Sequence, residues 1–424
     1  MKISIQITAA LIALGIVTQA SADNVVYLTG STAFRSTVYT ALHTAGTVFD
    51  GAVTEAEFGS SQSGANYMLF HGNINGTPTY IDCAWSGSEA GIASAANVTL
   101  QNTDKNGSPI ALAGSPETWL KADGSISMTG LLGSAPSGSQ LEASSHGADL
   151  AQADTSQAVS LTPFVASTST ALKDYGVEGI ATFTWVKNVN SSPSAEWTAL
   201  ANVTIPQLNI EISQGFQPTA FFTGVASQTN QYAYLVGRNK GSGTRANELA
   251  DSGYGTTKTV QQFSIGEGVE TPATGTLLLD YENNNGYESG GGVATALGID
   301  GSCGQADPFF PSHTGWYAIG FLGCSDAITH GLAVSPNWLS ADGVLESNGA
   351  IEEGQYAFWG HEHLFGKNGI SGFQDTVGGK VFTGVQNSLN TLALGSVPAN
   401  HDAAIALQYM HCDKSSDVAF PARF

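Results

Sequence analysis

One stretch constrains this chain more than any other: Leu235-Val236-Gly237-Arg238-Asn239-Lys240-Gly241-Ser242-Gly243-Thr244-Arg245-Ala246-Asn247. An apolar run that reads as a strand meets an arginine, then a Gly-Ser-Gly-Thr turn, then a helix start. Strand, glycine turn and helix in this order belong to layered α/β architecture, in which ligands sit at the ends of strands. Glycine at 241 and 243 frees the backbone for conformations a Cβ forbids, so successive N–H groups can face one concavity. Ser242 and Thr244 add hydroxyl donors, and a helix N-terminus adds positive partial charge. Arg238 adds a planar fork suited to two oxygens of one anion. The stretch therefore predicts an anion cradle. Taken alone, a Gly-Ser-Gly-Thr turn also serves simply to cap a helix.

Five further segments stand in a fixed order around it. They are Tyr27-Leu28-Thr29-Gly30-Ser31-Thr32-Ala33-Phe34, Trp85-Ser86-Gly87-Ser88-Glu89-Ala90-Gly91-Ile92 and Gly147-Ala148-Asp149-Leu150-Ala151-Gln152-Ala153-Asp154. After the arginine turn come Gly315-Trp316-Tyr317-Ala318-Ile319-Gly320-Phe321 and Gly354-Gln355-Tyr356-Ala357-Phe358-Trp359. In this order the set resembles the phosphate-binding proteins that feed phosphate ABC transporters, over roughly residues 25 to 365. The resemblance implies a two-lobed α/β fold of the type II periplasmic-binding-protein kind, with the ligand in a cleft between lobes. It implies that Thr32, Ala33, Phe34, Ser88, Asp154, Arg238, Ser242, Gly243 and Thr244 hold inorganic phosphate or a related oxyanion, with no cofactor and with an ABC permease as a partner. Asp154 would accept the proton that phosphate carries and sulfate lacks. Three positions depart from the family pattern. Ala33 stands where a hydroxyl is usual, Lys240 where many members carry an acid, and more than fifty residues separate the Ser88 turn from the Asp154 segment.

Residues 1–22 read as a signal peptide: Lys2, an apolar core from Ile3 to Val17, then Ala20-Ser21-Ala22 as the cleavage site. No cysteine follows that site, so a lipid anchor is not expected, nor is a membrane span in the mature chain. The expected location is periplasmic or secreted. Removing the leader takes away Lys2 and no acid, so 13 basic against 35 acidic side chains leave −22. Such a field repels nucleic acid and anionic membranes. It also repels phosphate at long range, but screening confines that effect to about 8–10 Å.

The expected layout is lobe 1 over 23–180, with a loop-rich insertion at about 93–146, lobe 2 over 181–330, and a return to lobe 1 with a C-terminal segment over 331–424. Val25 to Leu28 and Ala181 to Val186 read as strands, the latter crossing between lobes. Phe34 to Ala45 and Val293 to Gly298 read as helices, and Trp316 to Phe321 as a strand. The four cysteines, Cys83, Cys303, Cys324 and Cys412, allow three pairings, of which Cys303 with Cys324 is favoured by proximity in sequence. His361-Glu362-His363 would place two imidazoles on one face of a strand, as a metal site needs, but no third ligand is evident. Gly87-Ser88-Glu89-Ala90-Gly91 lacks the nucleophile-elbow pattern. The expectation is a binding protein and not an enzyme. The alternatives are a secreted phosphomonoesterase on the same fold and a surface protein that has lost its ligand.

Overall fold

A computed structural model describes residues 23–103, 108–114, 117–143, 146–157, 171–265, 279–302, 310, 315–391, 404–415 and 421–423. The expected leader and Cys303 lie outside the described residues. The first part of the chain runs β1 (Asn24–Gly30), α1 (Arg35–His43), β2 (Thr54–Phe58), β3 (Tyr67–Ile74), β4 (Thr77–Ala84), α2 (Ser88–Ala95), β5 (Thr99–Thr103), β6 (Pro109–Gly114), β7 (Gly130–Gly133), β8 (Leu150–Ala153) and β9 (Lys173–Lys187). The rest runs β10 (Asn202–Val203), α3 (Ile205–Gln214), β11 (Phe216–Pro218), β12 (Tyr232–Val236), α4 (Gly243–Asp251), β13 (Gln262–Ile265), β14 (Leu279–Asn283) and α5 (Gly290–Leu297). Later come β15 (Tyr317–Gly323), α6 (Cys324–Thr329), β16 (Trp338–Ala341), β17 (Trp359–Gly366) and α7 (Gly372–Thr391), followed by short strands at Ala404–Ile405, Cys412–Asp413 and Ala422–Arg423.

The fold is mixed α/β. Its main sheet has the order β11-β12-β15-β9-β17-β8-β1-β4-β3-β2-β7. β1 runs parallel to β4 on one side and β8 on the other, with Leu28 opposite Cys83 and Leu150. β12 runs parallel to β15 in the other half. These strands are buried on both faces, so they read as continuous apolar runs, of which Tyr317–Gly323 is the clearest.

β9 joins the halves. Its residues 183–187 pair with β15, and its residues 173–182 with β17. The aromatic core follows the same seam: Trp185 stacks near Phe321 and Phe183 near Phe358, each at 5.1 Å between ring centres. α7 lies across this seam and buries Val377, Val381, Val385 and Leu389, a stripe at helical spacing. Each buried valine or leucine of that stripe contributes on the order of 1.5–3 kcal/mol. Between Ser88 and Asp154, β5 and β6 form a separate two-stranded sheet, while β7 adds to the edge of the main sheet beside β2.

Cys83, Cys324 and Cys412 are buried free thiols. The favoured pairing of Cys324 with Cys303 is therefore corrected. Cys324 opens α6 inside the core, where burial first and the nearby Glu346 second push its thiol well above the ordinary range. Closeness in sequence does not bring two Cβ atoms to bonding distance.

Candidate functional site

β12 ends at Val236, and the chain turns through Arg238 into α4. Asn239 holds the turn: its N–H donates to the Tyr287 carbonyl at 3.0 Å, and its Oδ1 accepts from Gly241 N–H at 2.8 Å. Ser242 is the N-cap of α4, its Oγ accepting from Arg245 N–H at 3.2 Å. That bond leaves the Ser242 hydroxyl proton free to donate. The Gly241 carbonyl reaches across to the other half of the molecule, where it accepts from the N–H groups of Glu89 and Ala90 at 3.0 and 3.2 Å. The turn thus docks on the first turn of α2.

Two glycines make this approach possible. Gly87 has φ +105°, and a Cβ there would stand 2.4 Å from the Gly241 oxygen and 3.5 Å from Arg238 Nη2. A Cβ on Gly243 would stand 1.6 Å from Asp154 Oδ1 and 2.7 Å from Ser88 Oγ. Any side chain at 243 would displace the carboxylate. Asp154, Ser88 and Gly243 therefore meet at one point, although 66 positions separate Ser88 from Asp154. The Asp154 N–H donates to Ser88 Oγ at 3.3 Å, and its carbonyl accepts from Asn247 Nδ2 of α4 at 2.9 Å.

The opening turn sits beside this point. Ser31 N–H donates to the Gln152 carbonyl at 2.9 Å, Gly87 N–H donates to the Gly30 carbonyl at 2.8 Å, and Phe34 N–H donates to Ser31 Oγ at 3.3 Å. Phe34 is fully buried and stands at the N-cap of α1. Thr32 Oγ1 is buried without a hydrogen-bond partner among the described residues. Ala33 turns toward the second half, where its carbonyl accepts from Ser325 Oγ at 3.4 Å. Thr244 and Ser242 are buried in the first turn of α4.

Arg238 is 1 % exposed. Its Nη2 donates to the Glu288 carbonyl at 2.7 Å, and among the described residues its Nε has no partner. Burial pushes the guanidinium down to about 10; Asp326 and then Asp154 oppose that shift, and Arg35 adds to it. The group stays charged at neutral pH. Its surroundings hold two residues that the sequence did not single out. Arg35, buried at the start of α1, donates to Asn66 Oδ1 at 2.5 Å, and burial lowers its pKa against the pull of Asp326. Asp326, buried in α6, is raised by burial and held down by Arg35, Arg238 and His330. A third missed residue, Arg245, donates to the carbonyls of Arg238 and Asn284, each at 3.0 Å, and so fixes the backbone that carries Arg238. Burial pushes Arg245 down to about 9. A signal for the two arginines was scarcity. The chain has four arginines, and Arg35, Arg238 and Arg245 lie within or beside the motif segments.

The remaining candidates separate cleanly. Asp149 is structural: it accepts from Tyr27 N–H at 3.1 Å and pairs with Lys367. Lys240 is half-buried, lowered by burial and by Arg245. His361 and His363 lie on β17 with ring centres 6.3 Å apart, but each faces its own acid, Asp413 at 2.8 Å and Asp174 at 3.2 Å. Among the described residues no group of three His, Cys, Asp or Glu side chains could hold a metal ion. Between them on the strand, Glu362 is fully buried; burial, then Asp154 and Glu178, push its pKa well up.

No protein-family model matches this chain, and no curated protein matches it. Among solved structures it is similar to a protein from Clostridium perfringens described as a phosphate ABC transporter substrate-binding protein with bound phosphate. The identity is 13% over 91% of this chain and 100% of that one, with a TM-score of 0.44. It is also similar to an ABC-type phosphate transport receptor from Vibrio cholerae, at 13% identity over 86% and 95% of the two chains and a TM-score of 0.37. A third is PstS from Borrelia burgdorferi, at 11% identity over 84% and 91% and a TM-score of 0.30. At such identities and TM-scores the likeness assigns no ligand and no residue roles, and these rest on the site itself. Among the described residues no helix is long and apolar enough to cross a membrane.

Proposed function

We propose that this chain is an exported solute-binding protein that captures phosphate or a related oxyanion, without catalysis, for delivery to an ABC permease. The observation that carries the proposal is the convergence of Ser88, Asp154 and Gly243 beside a buried Arg238 with an open Nε. Arg238 supplies the counter-charge. The hydroxyls of Ser88, Ser242 and Thr244 donate, as do the first N–H groups of α4, which have no partner within the helix. Thr32, Ala33 and Phe34 close the shell through the opening turn. Asp154 sets the choice among anions. It accepts the proton of a hydrogen phosphate and repels a fully ionised sulfate. An unmatched charge of that kind costs on the order of 2–5 kcal/mol.

The test is calorimetry on phosphate-stripped protein. Phosphate is expected to bind with a micromolar or tighter Kd, roughly −8 kcal/mol or better. Absence of binding at millimolar phosphate overturns the proposal.

A further inference from the structure

A cavity of about 400 Å³ lies between the two halves of the molecule, and its wall includes Thr32, Arg35, Ser289, Ser325 and Asp326. It adjoins the anion site through Thr32, and its two charged groups are the ones that act on Arg238. A phosphate ion takes the place of about three waters, roughly 90 Å³ at ~30 Å³ each. The cavity is far larger, and its wall is built from hydroxyl side chains, glycines, Asn66, His330 and the pair Arg35 and Asp326.

The polar groups facing it are not all used. Thr32 is 5 % exposed, and among the described residues its Oγ1 has no hydrogen-bond partner. Asp326 Oδ2 is buried and likewise has none among them. A buried acceptor left open costs free energy, about 1–3 kcal/mol, that a ligand donor can recover. The position of Asp326 also decides the ligand's character. The N-terminus of α5, capped by Ser289 and opened by three glycines, is where a second anionic group would bind. The protein's own carboxylate is already there: a Cβ on Gly290 would stand 2.0 Å from Asp326 Oδ2. A second phosphate would meet that carboxylate. A neutral hydroxyl would donate to it and accept from Arg35.

We infer that the cleft takes a phosphate monoester of a small polyol, with the phosphate in the Arg238 cradle and the hydroxyl-bearing carbons in the cavity beside Thr32, Arg35 and Asp326. This rests on the anion-binding reading above and names its ligand class. Calorimetry with inorganic phosphate, glycerol 3-phosphate and pyrophosphate tests it, on the parent and on Ser36→Phe. Ser36 lines the same cavity and is not one of the cradle residues, so a phenyl ring there takes up part of its space. In the parent, glycerol 3-phosphate is expected to bind at least as tightly as phosphate, and pyrophosphate at least tenfold more weakly than glycerol 3-phosphate. Ser36→Phe is expected to weaken the ester at least tenfold and leave phosphate within twofold. Phosphate binding without ester binding in the parent overturns the inference and leaves the anion site standing. Equal losses for both ligands in Ser36→Phe also overturn it, as does pyrophosphate binding tighter than the ester. If no anion binds, the anion-site reading itself falls. Should Ser36→Phe not fold, the comparison of the ligands on the parent still decides.

Discussion

Two buried cations in this molecule are treated in opposite ways. Lys414 is sealed in, with its side chain fully inaccessible. Its Nζ donates to both oxygens of Asp251 at 2.8 and 2.9 Å and to the Trp359 carbonyl at 2.6 Å, and it lies 4.5 Å from the centre of the Trp359 ring. Its three N–H groups have three acceptors. Arg238 is as deeply buried, yet among the described residues it donates to one carbonyl and its Nε has no partner, with its nearest acids acting as neighbours rather than as a bidentate partner. Taking a cation out of water costs several kcal/mol unless hydrogen bonds replace the lost hydration. Lys414 recovers that cost within the chain. Arg238 does not, and the deficit is what an anion would make good. A fully satisfied buried charge is a structural lock, and an under-satisfied one is a ligand site in waiting.

The comparison can be broken from either side. Lys414→Met should give the largest change, and in stability. It leaves Asp251 buried without its cation, a loss of about 3–5 kcal/mol. Phosphate affinity of the folded fraction should stay at the parent value. Denaturant unfolding and calorimetry on one preparation measure both. A variant as stable as the parent would remove Lys414 as a lock.

Arg238→Ala should show the mirror image. Affinity for phosphate is expected to fall by about 2–5 kcal/mol, roughly thirtyfold to several thousandfold. Stability without ligand should hold or rise, because an incompletely paired buried charge is gone. Arg238→Lys should restore only part of the affinity, since an ammonium cannot form the planar fork. If Arg238→Ala lost stability as Lys414→Met does and kept its ligand, the two cations would have exchanged roles.

A smaller and sharper effect is expected for Asp154→Asn. The amide can still bond the anion, but it no longer repels one that has no proton. The ratio of sulfate to phosphate affinity should rise more than phosphate affinity falls. An unchanged ratio would assign Asp154 to a structural cap.

The two cations also differ in how far the sequence shows them. Arg238 is legible because local chemistry surrounds it: a strand before, glycines after, a helix start beyond. Ser88 and Asp154 come from the resemblance, each by its place in its own motif segment. Lys414 is silent, since nothing near it in the chain distinguishes it from a surface lysine. Arg35 and Asp326 fail for a related reason. Arg35 follows Phe34 directly, but spacing does not say which way the first residue of a helix points, and Asp326 comes from a helix nearly three hundred positions away. The Gly241 carbonyl that docks on α2 carries no residue identity to read. Glu178 and Glu362, buried on the central strands β9 and β17, contradict the rule that acids lie outside. The alternation from Ala181 to Val186 finds the crossing strand, while Gly176, Glu178 and Gly179 hide its earlier half.

The smallest effect, and the finest test, concerns Lys240. Its ammonium is half-buried and is lowered by burial and by the charge of Arg245, so the region behind the cradle is already positive. Phosphate loses its second proton near neutral pH, as phosphate groups generally do. A positive surround favours the dianion, so binding should strengthen as pH rises from about 6 to about 8. Lys240→Asp puts a carboxylate within the field of Arg245, which holds the Arg238 backbone. It should weaken binding and flatten that rise. Because Lys240 is only half-buried and partly screened by solvent, the loss should stay at or below about 1 kcal/mol, under tenfold in Kd. Titrations of parent and variant at both pH values measure it. Equal affinities at both pH values in both proteins would show that the charge at 240 does not reach the cradle, and that Arg238 alone supplies its field.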